Sequence, residues 1–301
     1  MMRMTKILTA VFAAAAGLLL AESEYEKKHF ETVTYRLRTD KLDAQWDGVR
    51  LVFLSDLHDN CFGADNEKLK SAIKEIAPDI VLIGGDMMVT KPWKKLDFSG
   101  LAGLLSWLSS RYPVYYANGN HESRMKNESE TYPGWYEAFV KMLRDTGVCY
   151  LSDNRAELIR GESRLYIYGL NVDEDYYKKG KKRPFKDGYM KNRLGEAVQD
   201  GYHLLMAHTP VYLEEYARWG ADLVLSGHFH GGTIRLPGIG GVMSPQFNFF
   251  SKYNNDMAVC DGVPMVISAG LGTHSVNVRL NNPPQIVVLE VKTEESGLQE
   301  S

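Results

Sequence analysis

The sequence is poor in cysteine and in net charge, and it lacks two common hydrolase motifs. Its three cysteines, Cys61, Cys149 and Cys260, lie far apart, which excludes a disulfide scaffold and a thiolate zinc site. The 35 basic and 38 acidic residues leave a net charge of −3, so no overall field attracts nucleic acid or anionic lipid. Neither a Gly-x-x-x-x-Gly-Lys phosphate loop nor a Gly-x-Ser-x-Gly elbow occurs, which disfavours NTPases and serine hydrolases.

Long apolar runs are also absent, except near the N-terminus. There an uncharged run extends from Ile7 to Ala21, preceded by Arg3 and Lys6 and followed by glutamates. At about 1.5 Å per residue this run spans roughly 22 Å, short of the roughly 30 Å hydrocarbon core. We therefore predict that residues 1–21 are a signal peptide or an N-terminal membrane anchor, with the body of the protein at the cell envelope, outside the cytoplasm. A buried N-terminal helix is the alternative.

After this segment, short apolar runs alternate with stretches of helical periodicity, which is typical of a layered α/β protein. We expect a linker and a lead-in strand over residues 22–45, and a single domain over residues 46–295. The patterns predict strands at 50–54, 79–83, 113–117, 203–207 and 222–225, helices at 66–76, 98–110, 135–145 and 212–219, and mostly strand after residue 234.

Side chains of the metal-binding types follow five of these strands. They are Asp56 and His58, Asp86, Asn120 with His121 and Glu122, His208, and finally His228 and His230. Since the carboxyl ends of parallel strands share one edge of a sheet, we expect these groups to converge. Carboxylate, amide and imidazole donors without a thiolate favour Mn²⁺, Fe or Zn²⁺.

The ordered motifs resemble those of the calcineurin-like metallophosphoesterase superfamily. The series Asp-x-His, Gly-Asp, Gly-Asn-His-Glu, His and Gly-His-x-His extends the resemblance from about Leu51 to Val291. Within it, AHTP, GHFHGGTIRLP and SAGLGTHSVNVR are similar to the exported or membrane-associated bacterial branch, which hydrolyses phosphodiesters, including lipid-linked ones. The resemblance implies a four-layer α/β/β/α sandwich with a two-metal site at the carboxyl ends of the strands.

The resemblance also implies a role for each site residue. One divalent ion would be held by Asp56, His58, Asp86 and His230, and the other by Asp86, Asn120, His208 and His228, so that Asp86 bridges the two. His121 would stay unligated, near the leaving group, as the catalytic proton donor. Glu122 stands where the family most often has aspartate. Mn²⁺ is the expected metal, with Fe or Zn²⁺ as alternatives.

The function that follows is a dimetal phosphoesterase in which a bridging hydroxide attacks phosphorus in line. We expect a phosphodiesterase or pyrophosphatase whose substrate is a lipid-linked compound or a nucleotide sugar of the envelope, with the membrane surface as a further partner. A phosphomonoesterase, a nuclease and a catalytically silent metal-binding module are the alternatives. Nucleic acid is not an expected partner, because the basic residues form no extended groove.

Two segments leave alternatives open. Residues 176–193 are strongly basic and suit either a solvated loop or a cationic flap that meets phosphate or an anionic membrane. Residues 237–253 are rich in glycine and then in aromatic residues, and suit either loop packing or an apolar rim for a lipid-like substrate. Three single residues remain. We expect Cys61 to pack against apolar groups rather than bind metal, and Arg279 to anchor its strand by hydrogen bonds. His274 suits either a substrate contact or the cap of a turn.

Overall fold

The computed structural model describes residues 2–178, 182–244, 249–254, 256–273 and 276–293. Its helices are α1 (Met2–Glu26), α2 (Glu67–Ile76), α3 (Ser99–Ser109), α4 (Asn120–Asn127), α5 (Trp135–Asp145), α6 (Tyr189–Leu194) and α7 (Leu213–Trp219). Its strands are β1 (Glu31–Thr39), β2 (Arg50–Leu54), β3 (Ile80–Ile83), β4 (Val114–Ala117), β5 (Cys149–Leu151), β6 (Asn154–Arg160), β7 (Ser163–Leu170), β8 (Tyr202–Ala207), β9 (Leu223–Ser226), β10 (Arg235–Leu236), β11 (Gly240–Gly241), β12 (Met257–Cys260), β13 (Val263–Ile267) and β14 (Gln285–Thr293).

Two six-stranded sheets form the centre of the molecule. The first has the strand order β1-β14-β2-β3-β4-β5 and the second the order β12-β13-β9-β8-β7-β6. Strands β2 to β5 run parallel to one another, as do β7, β8, β9 and β13. Their carboxyl ends therefore gather at one edge of each sheet, where α/β proteins build their sites.

Alternation along the strands assigns each side chain to one of three apolar layers. In β2, Val52 and Leu54 pack with leucines of α2 and α3, whereas Leu51 and Phe53 face the second sheet. In β8, Leu205 packs instead with Leu213 and Tyr216 of α7. Helices thus cover both outer faces of two stacked sheets, which confirms the four-layer α/β/β/α sandwich.

The lead-in strand is part of the first sheet. Strand β1 pairs in parallel with β14 in register from Glu31 opposite Gln285 to Thr39 opposite Thr293. Such a pairing joins two ends of the chain that are far apart in sequence. Residues 31–39 are therefore part of the same sheet as β2, β3, β4 and β5.

Helix α1 lies outside the sandwich and is longer than the uncharged run on which the prediction was based. Its apolar stretch, Met4–Glu26, has 23 residues and a mean hydropathy of 1.9, and none of its most apolar part is buried, whereas Ser23 and Glu26 in the last turn are buried. At about 1.5 Å per residue that stretch is roughly 34 Å long, enough to cross a bilayer. The alternative of a buried N-terminal helix does not fit this exposure.

Candidate metal centre

The side chains predicted to be ligands converge at the edge where the parallel strands end. Asp56 and His58 follow β2, Asp86 follows β3, Asn120 opens α4 after β4, and the remaining candidates follow β8 and β9. All seven candidates are buried, with at most 9% of their surface exposed. The structure thus brings the predicted set together in one place.

Short loops turn sharply to aim these side chains inward. Five of the seven candidates have a left-handed backbone, with φ of 54° at Asp56, 50° at His58, 51° at Asp86, 67° at His228 and 48° at His230. Side chains other than glycine adopt this region at a cost of about 1–3 kcal/mol each. Left-handed backbone at five of seven clustered polar residues is an arrangement often found at functional sites.

Asp56 forms the centre of one half of the cluster. Its Oδ2 accepts a hydrogen bond from the Ser55 hydroxyl at 2.6 Å, which leaves Oδ1 directed at three imidazoles. This Oδ1 lies 3.7 Å from Nε2 of His58, 3.6 Å from Nε2 of His208 and 3.5 Å from Nε2 of His230. The Nε2 atoms of His58 and His230 are only 3.2 Å apart.

Asp86 forms the centre of the other half. Its Oδ1 accepts the His121 backbone N–H at 2.8 Å, and its Oδ2 lies 3.2 Å from Nε2 of His208 and 3.8 Å from Nε2 of His58. A ligand atom of His228 lies within 4.8 Å of those of Asp86 and His208. Because His58 and His208 approach both carboxylates, the two halves form one continuous site.

Hydrogen bonds to backbone carbonyls fix the orientation of two imidazoles. Nδ1 of His208 donates to the Gly84 carbonyl at 2.8 Å, and Nδ1 of His230 donates to the Gly272 carbonyl at 3.1 Å. In a neutral imidazole the proton on Nδ1 leaves a lone pair on Nε2. In the neutral form both Nε2 lone pairs face carboxylate oxygens, so this arrangement calls for positive charge, either a proton on Nε2 or a metal ion between the groups.

The side-chain oxygen of Asn120 also faces hydrogen-bond acceptors. Its side-chain oxygen is 2.9 Å from Nδ1 of His228 and 3.3 Å from Oδ2 of Asp86, so that three acceptors face one another. With the amide turned round, its NH₂ group donates to both of these atoms; with the oxygen directed inward, the three lone pairs converge as ligands of a cation would. The donor set therefore fits a divalent metal ion.

The charges of the metal-free cluster lead to the same conclusion. Burial lowers the pKa of His208, but the carboxylates of Asp86 and Asp56 outweigh burial and raise this pKa to about 10. Burial alone would raise the pKa of Asp86, yet the imidazoles of His208 and His121 hold it well below its usual range. Two buried carboxylates thus demand positive charge, which a metal supplies without protonating a ligand.

Two glycines permit the close approach of neighbouring loops. A Cβ atom on Gly119 would lie 2.2 Å from Oδ1 of Asp86, and one on Gly227 would lie 2.1 Å from Oδ2 of Asp56. Both glycines directly precede candidate ligands, Asn120 and His228. Any side chain at either position would push a carboxylate out of the cluster.

His121 is held beside the cluster in a defined tautomer. Its Nδ1 accepts the Thr90 backbone N–H at 2.8 Å, and the Thr90 hydroxyl donates to the His121 carbonyl at 2.9 Å. The neutral ring therefore carries its proton on Nε2. The ring lies 5.2 Å from that of His58, so this N–H is next to the candidate ligands. Thr90 was not predicted from the sequence, since it carries no chemical motif.

The profile of the calcineurin-like phosphoesterase family matches residues 49–232, more than half of the chain and all seven candidate ligands. The chain belongs to this family. It is therefore a metal-dependent phosphoester hydrolase, and its clustered histidine and aspartate residues are those of a divalent-metal site.

Several curated relatives are similar along most of the chain. The uncharacterized metallophosphoesterase YkoQ of Bacillus subtilis (strain 168) is 26% identical, covering 88% of this chain and 93% of the relative. The phosphodiesterase YaeI of Escherichia coli (strain K12) is 26% identical, covering 87% and 88%. A transmembrane protein with a metallophosphoesterase domain from Danio rerio is 24% identical, covering 95% of this chain and 61% of the relative.

Glu122 directs its carboxylate at the backbone. It accepts backbone N–H groups of Asp86 at 2.8 Å, Met87 at 3.0 Å and Gly119 at 2.9 Å. The Tyr116 hydroxyl donates the fourth hydrogen bond at 2.7 Å. Glu122 therefore fixes the loop that carries Asp86.

The basic segment 176–193 is largely neutralised where the structure describes it. Lys182 pairs with Glu214 and Arg193 pairs with both Asp153 and Asp173. Phe185 stacks on Tyr212 at 4.0 Å and ties the segment to the base of α7. These contacts favour a packed structural loop, although Lys179, Gly180 and Lys181 lie outside the described residues.

The segment 237–253 is partly packed and partly exposed. The Tyr253 ring packs against Phe229 at 6.4 Å, whereas the Phe249 and Phe250 side chains are exposed, and residues 245–248 lie outside the described residues. Arg279 donates to the carbonyls of residues 269, 270, 272 and 282, which fits the expected anchoring role.

Cys61 is exposed and bonded to a neighbouring carbonyl, so the expectation of apolar packing was wrong. Its thiol belongs to a polar turn before α2. His274 lies outside the described residues.

Proposed function

We propose that the protein hydrolyses phosphodiesters with two divalent cations at this site. One cation is assigned to Asp56, His58, Asp86 and His230, and the other to Asp86, Asn120, His208 and His228. The observation that carries the proposal is the clustering of ligand atoms in two adjoining groups, Asp56 with His58 and His230, and Asp86 with His208 and His228, each within 4.8 Å. Oxygen and nitrogen donors without a thiolate suit Mn²⁺, Fe or Zn²⁺, and of these we propose Mn²⁺.

Bound cations at this site would supply charge neutralisation of the phosphoryl oxygens and a water with a lowered pKa. The chain itself positions the substrate. His121, with its proton on Nε2, donates a hydrogen bond to the leaving oxygen or to a phosphoryl oxygen. The Thr90 N–H keeps this tautomer, and Glu122 keeps Asp86 in place through the backbone.

The activity test compares bis(p-nitrophenyl) phosphate with p-nitrophenyl phosphate in the presence of Mn²⁺, with and without a chelator. We expect the diester to be cleaved faster, and both activities to disappear with the chelator. Faster cleavage of the monoester would instead indicate a phosphomonoesterase. Absence of either activity in metal-loaded protein would leave a silent metal-binding module.

We further propose that α1 anchors the protein in a membrane, with the catalytic domain outside the cytoplasm. The exposed apolar length of α1 and the transmembrane name of the zebrafish relative support this location. Export as a signal peptide predicts a mature chain that begins after Ala21, whereas an anchor keeps residue 2 onward. Mass determination of the membrane-extracted protein, with protease accessibility in intact cells, tests both statements.

The proposed substrate is a lipid-linked phosphodiester or pyrophosphate, or a nucleotide sugar, of the cell envelope. A cavity of about 330 Å³ extends from His58 to the last turn of α1, where Lys27 and Lys28 line it. Lys27 forms an ion pair with Glu24, which also lines the cavity, so the exposed Lys28 ammonium is the group that suits an anionic substrate. A screen of envelope phospholipids, nucleotide sugars and oligonucleotides tests this assignment, and we expect the oligonucleotides to be poor substrates.

A further inference from the structure

An exposed tryptophan lies on the loop between β3 and α3. We call residues 90–98 the Trp93 loop, since the Trp93 side chain is 80% exposed. Lys91 lies over the indole ring at 5.6 Å, and Lys95 is also exposed. The loop's one acid, Asp97, accepts the Ser99 backbone N–H at the start of α3. The metal site does not use these side chains, and no packing explains the exposed indole.

The Trp93 loop adjoins the cavity that leads to the metal centre. Asp59, which lines that cavity, accepts the Val89 backbone N–H at 2.9 Å and forms an ion pair with Lys94. Next in the chain, the Asn60 amide donates to the Leu271 carbonyl at 3.0 Å and reaches the Lys27 carbonyl at 3.5 Å. The loop, the cavity wall and the end of α1 therefore form one continuous surface.

Helix α1 is held firmly against this surface at its last turn. The Ser23 hydroxyl oxygen accepts the Arg279 backbone N–H at 3.1 Å, and the Glu26 carboxylate accepts those of Asn281 at 2.7 Å and Asn282 at 3.0 Å. Both side chains are buried. The direction in which α1 leaves the domain is thus fixed relative to the cavity and to the Trp93 loop.

We propose that the Trp93 loop is a second membrane contact, which holds the mouth of the cavity at the lipid headgroup layer. Trp93 enters the interfacial layer, where tryptophan is enriched in membrane proteins. Lys91 and Lys95 face anionic headgroups, as does Lys28 at the end of α1. The partner of this surface is an anionic phospholipid bilayer, because the apolar helix α1, which adjoins the surface, is inserted in that bilayer.

One consequence concerns how substrate reaches the site. A phosphoester whose apolar part stays in the bilayer reaches the cavity without leaving the membrane, because the mouth opens beside the headgroups. The inference rests on the proposed membrane location of α1, but it does not depend on turnover.

Fluorescence quenching tests the contact in the full-length protein. All five tryptophans follow α1 in the sequence, so emission quenched by brominated acyl chains reports contact between the folded domain and the bilayer. The protein is reconstituted in phosphatidylcholine–phosphatidylglycerol vesicles as wild type, Trp93→Phe and the control Trp219→Phe. Trp219 is bonded to the Gly195 carbonyl on the helical face of the second sheet.

We expect wild type and Trp219→Phe to be quenched and Trp93→Phe to lose most of the quenching. Equal quenching in Trp93→Phe, or an unquenched wild type, overturns the proposal.

A second comparison uses a double variant in which Lys91 and Lys95 are both replaced with glutamine. The control is the single variant Lys141→Gln. The double variant should gain less quenching from phosphatidylglycerol than wild type does, because Lys28 remains, and an unchanged response to phosphatidylglycerol contradicts the role of the two lysines. Because neither readout needs hydrolysis, a failure here is separate from a failure of the proposed activity.

Discussion

The substitution Glu122→Gln tests how the loop that carries Asp86 is held. Each carboxylate oxygen of Glu122 accepts two hydrogen bonds, Oε2 from the N–H groups of Asp86 and Gly119, and Oε1 from the Met87 N–H and the Tyr116 hydroxyl. Glutamine is almost isosteric but has one oxygen and one NH₂ group. Two of the four donors must then face another donor.

The glutamine orientation with the smaller energetic cost places the NH₂ group where Oε1 of Glu122 lies in the wild type. The Tyr116 hydroxyl can rotate to accept from it, so only the Met87 N–H loses its partner. A buried donor without a partner costs about 1–3 kcal/mol, and the two remaining bonds weaken because their acceptor is no longer charged, by about 1 kcal/mol in total. We therefore expect Glu122→Gln to lower the free energy of unfolding by about 2–4 kcal/mol.

Urea unfolding of the chelator-treated, full-length protein measures this change, with Glu130→Gln as the control because Glu130 is exposed. The midpoint should fall in Glu122→Gln without a change of slope, and should stay unchanged in the control. Burial and the Asp86 carboxylate raise the pKa of Glu122, so protonation is the competing possibility. A protonated Glu122 already resembles glutamine, and a loss below about 0.5 kcal/mol would refute the claim that a charged carboxylate holds this loop.

Three further outcomes follow. His121→Ala should lose turnover of bis(p-nitrophenyl) phosphate while metal analysis still finds bound metal, and wild-type turnover in the metal-loaded variant would contradict the assigned role. Gly119→Ala should lose metal, because its Cβ would lie 2.2 Å from Oδ1 of Asp86; retention of full metal content contradicts the packing argument. The chelator-treated protein should lose stability as pH falls from 6.5 towards 3, because burial lowers the pKa of His228 and His230 to about 3 while imidazoles of the unfolded chain take up protons near 6.5. Urea midpoints at both ends of this interval check the sign, and equal midpoints refute it.

Local patterns predicted the strand ends well. The run RLVFL has the predicted bounds, Arg50–Leu54, and the helix Trp135–Asp145 also matches. Convergence of the candidate ligands followed because parallel strands share their carboxyl edge, a rule that needs no knowledge of distances. Helix α4 was not expected, since the glycine before Asn120 indicated a turn where the chain in fact begins a helix.

Contacts between segments that are distant in sequence could not be predicted. The carbonyls of Gly84 and Gly272 orient His208 and His230, and any residue can offer a carbonyl. The Thr90 backbone N–H fixes the His121 tautomer, and almost any residue can offer a backbone N–H. The sequence assigned no role to Glu122 for a related reason, because its partners are mostly backbone groups that become neighbours only in the folded chain.

The claim on which this account depends is that these loops hold two neighbouring metal ions. Crystals grown with Mn²⁺ and measured above and below the manganese absorption edge test it directly. We predict two anomalous peaks about 3.5–4 Å apart, with the Asp86 carboxylate between them. A single peak elsewhere, or no peak in protein that binds Mn²⁺ in solution, would contradict the proposed centre.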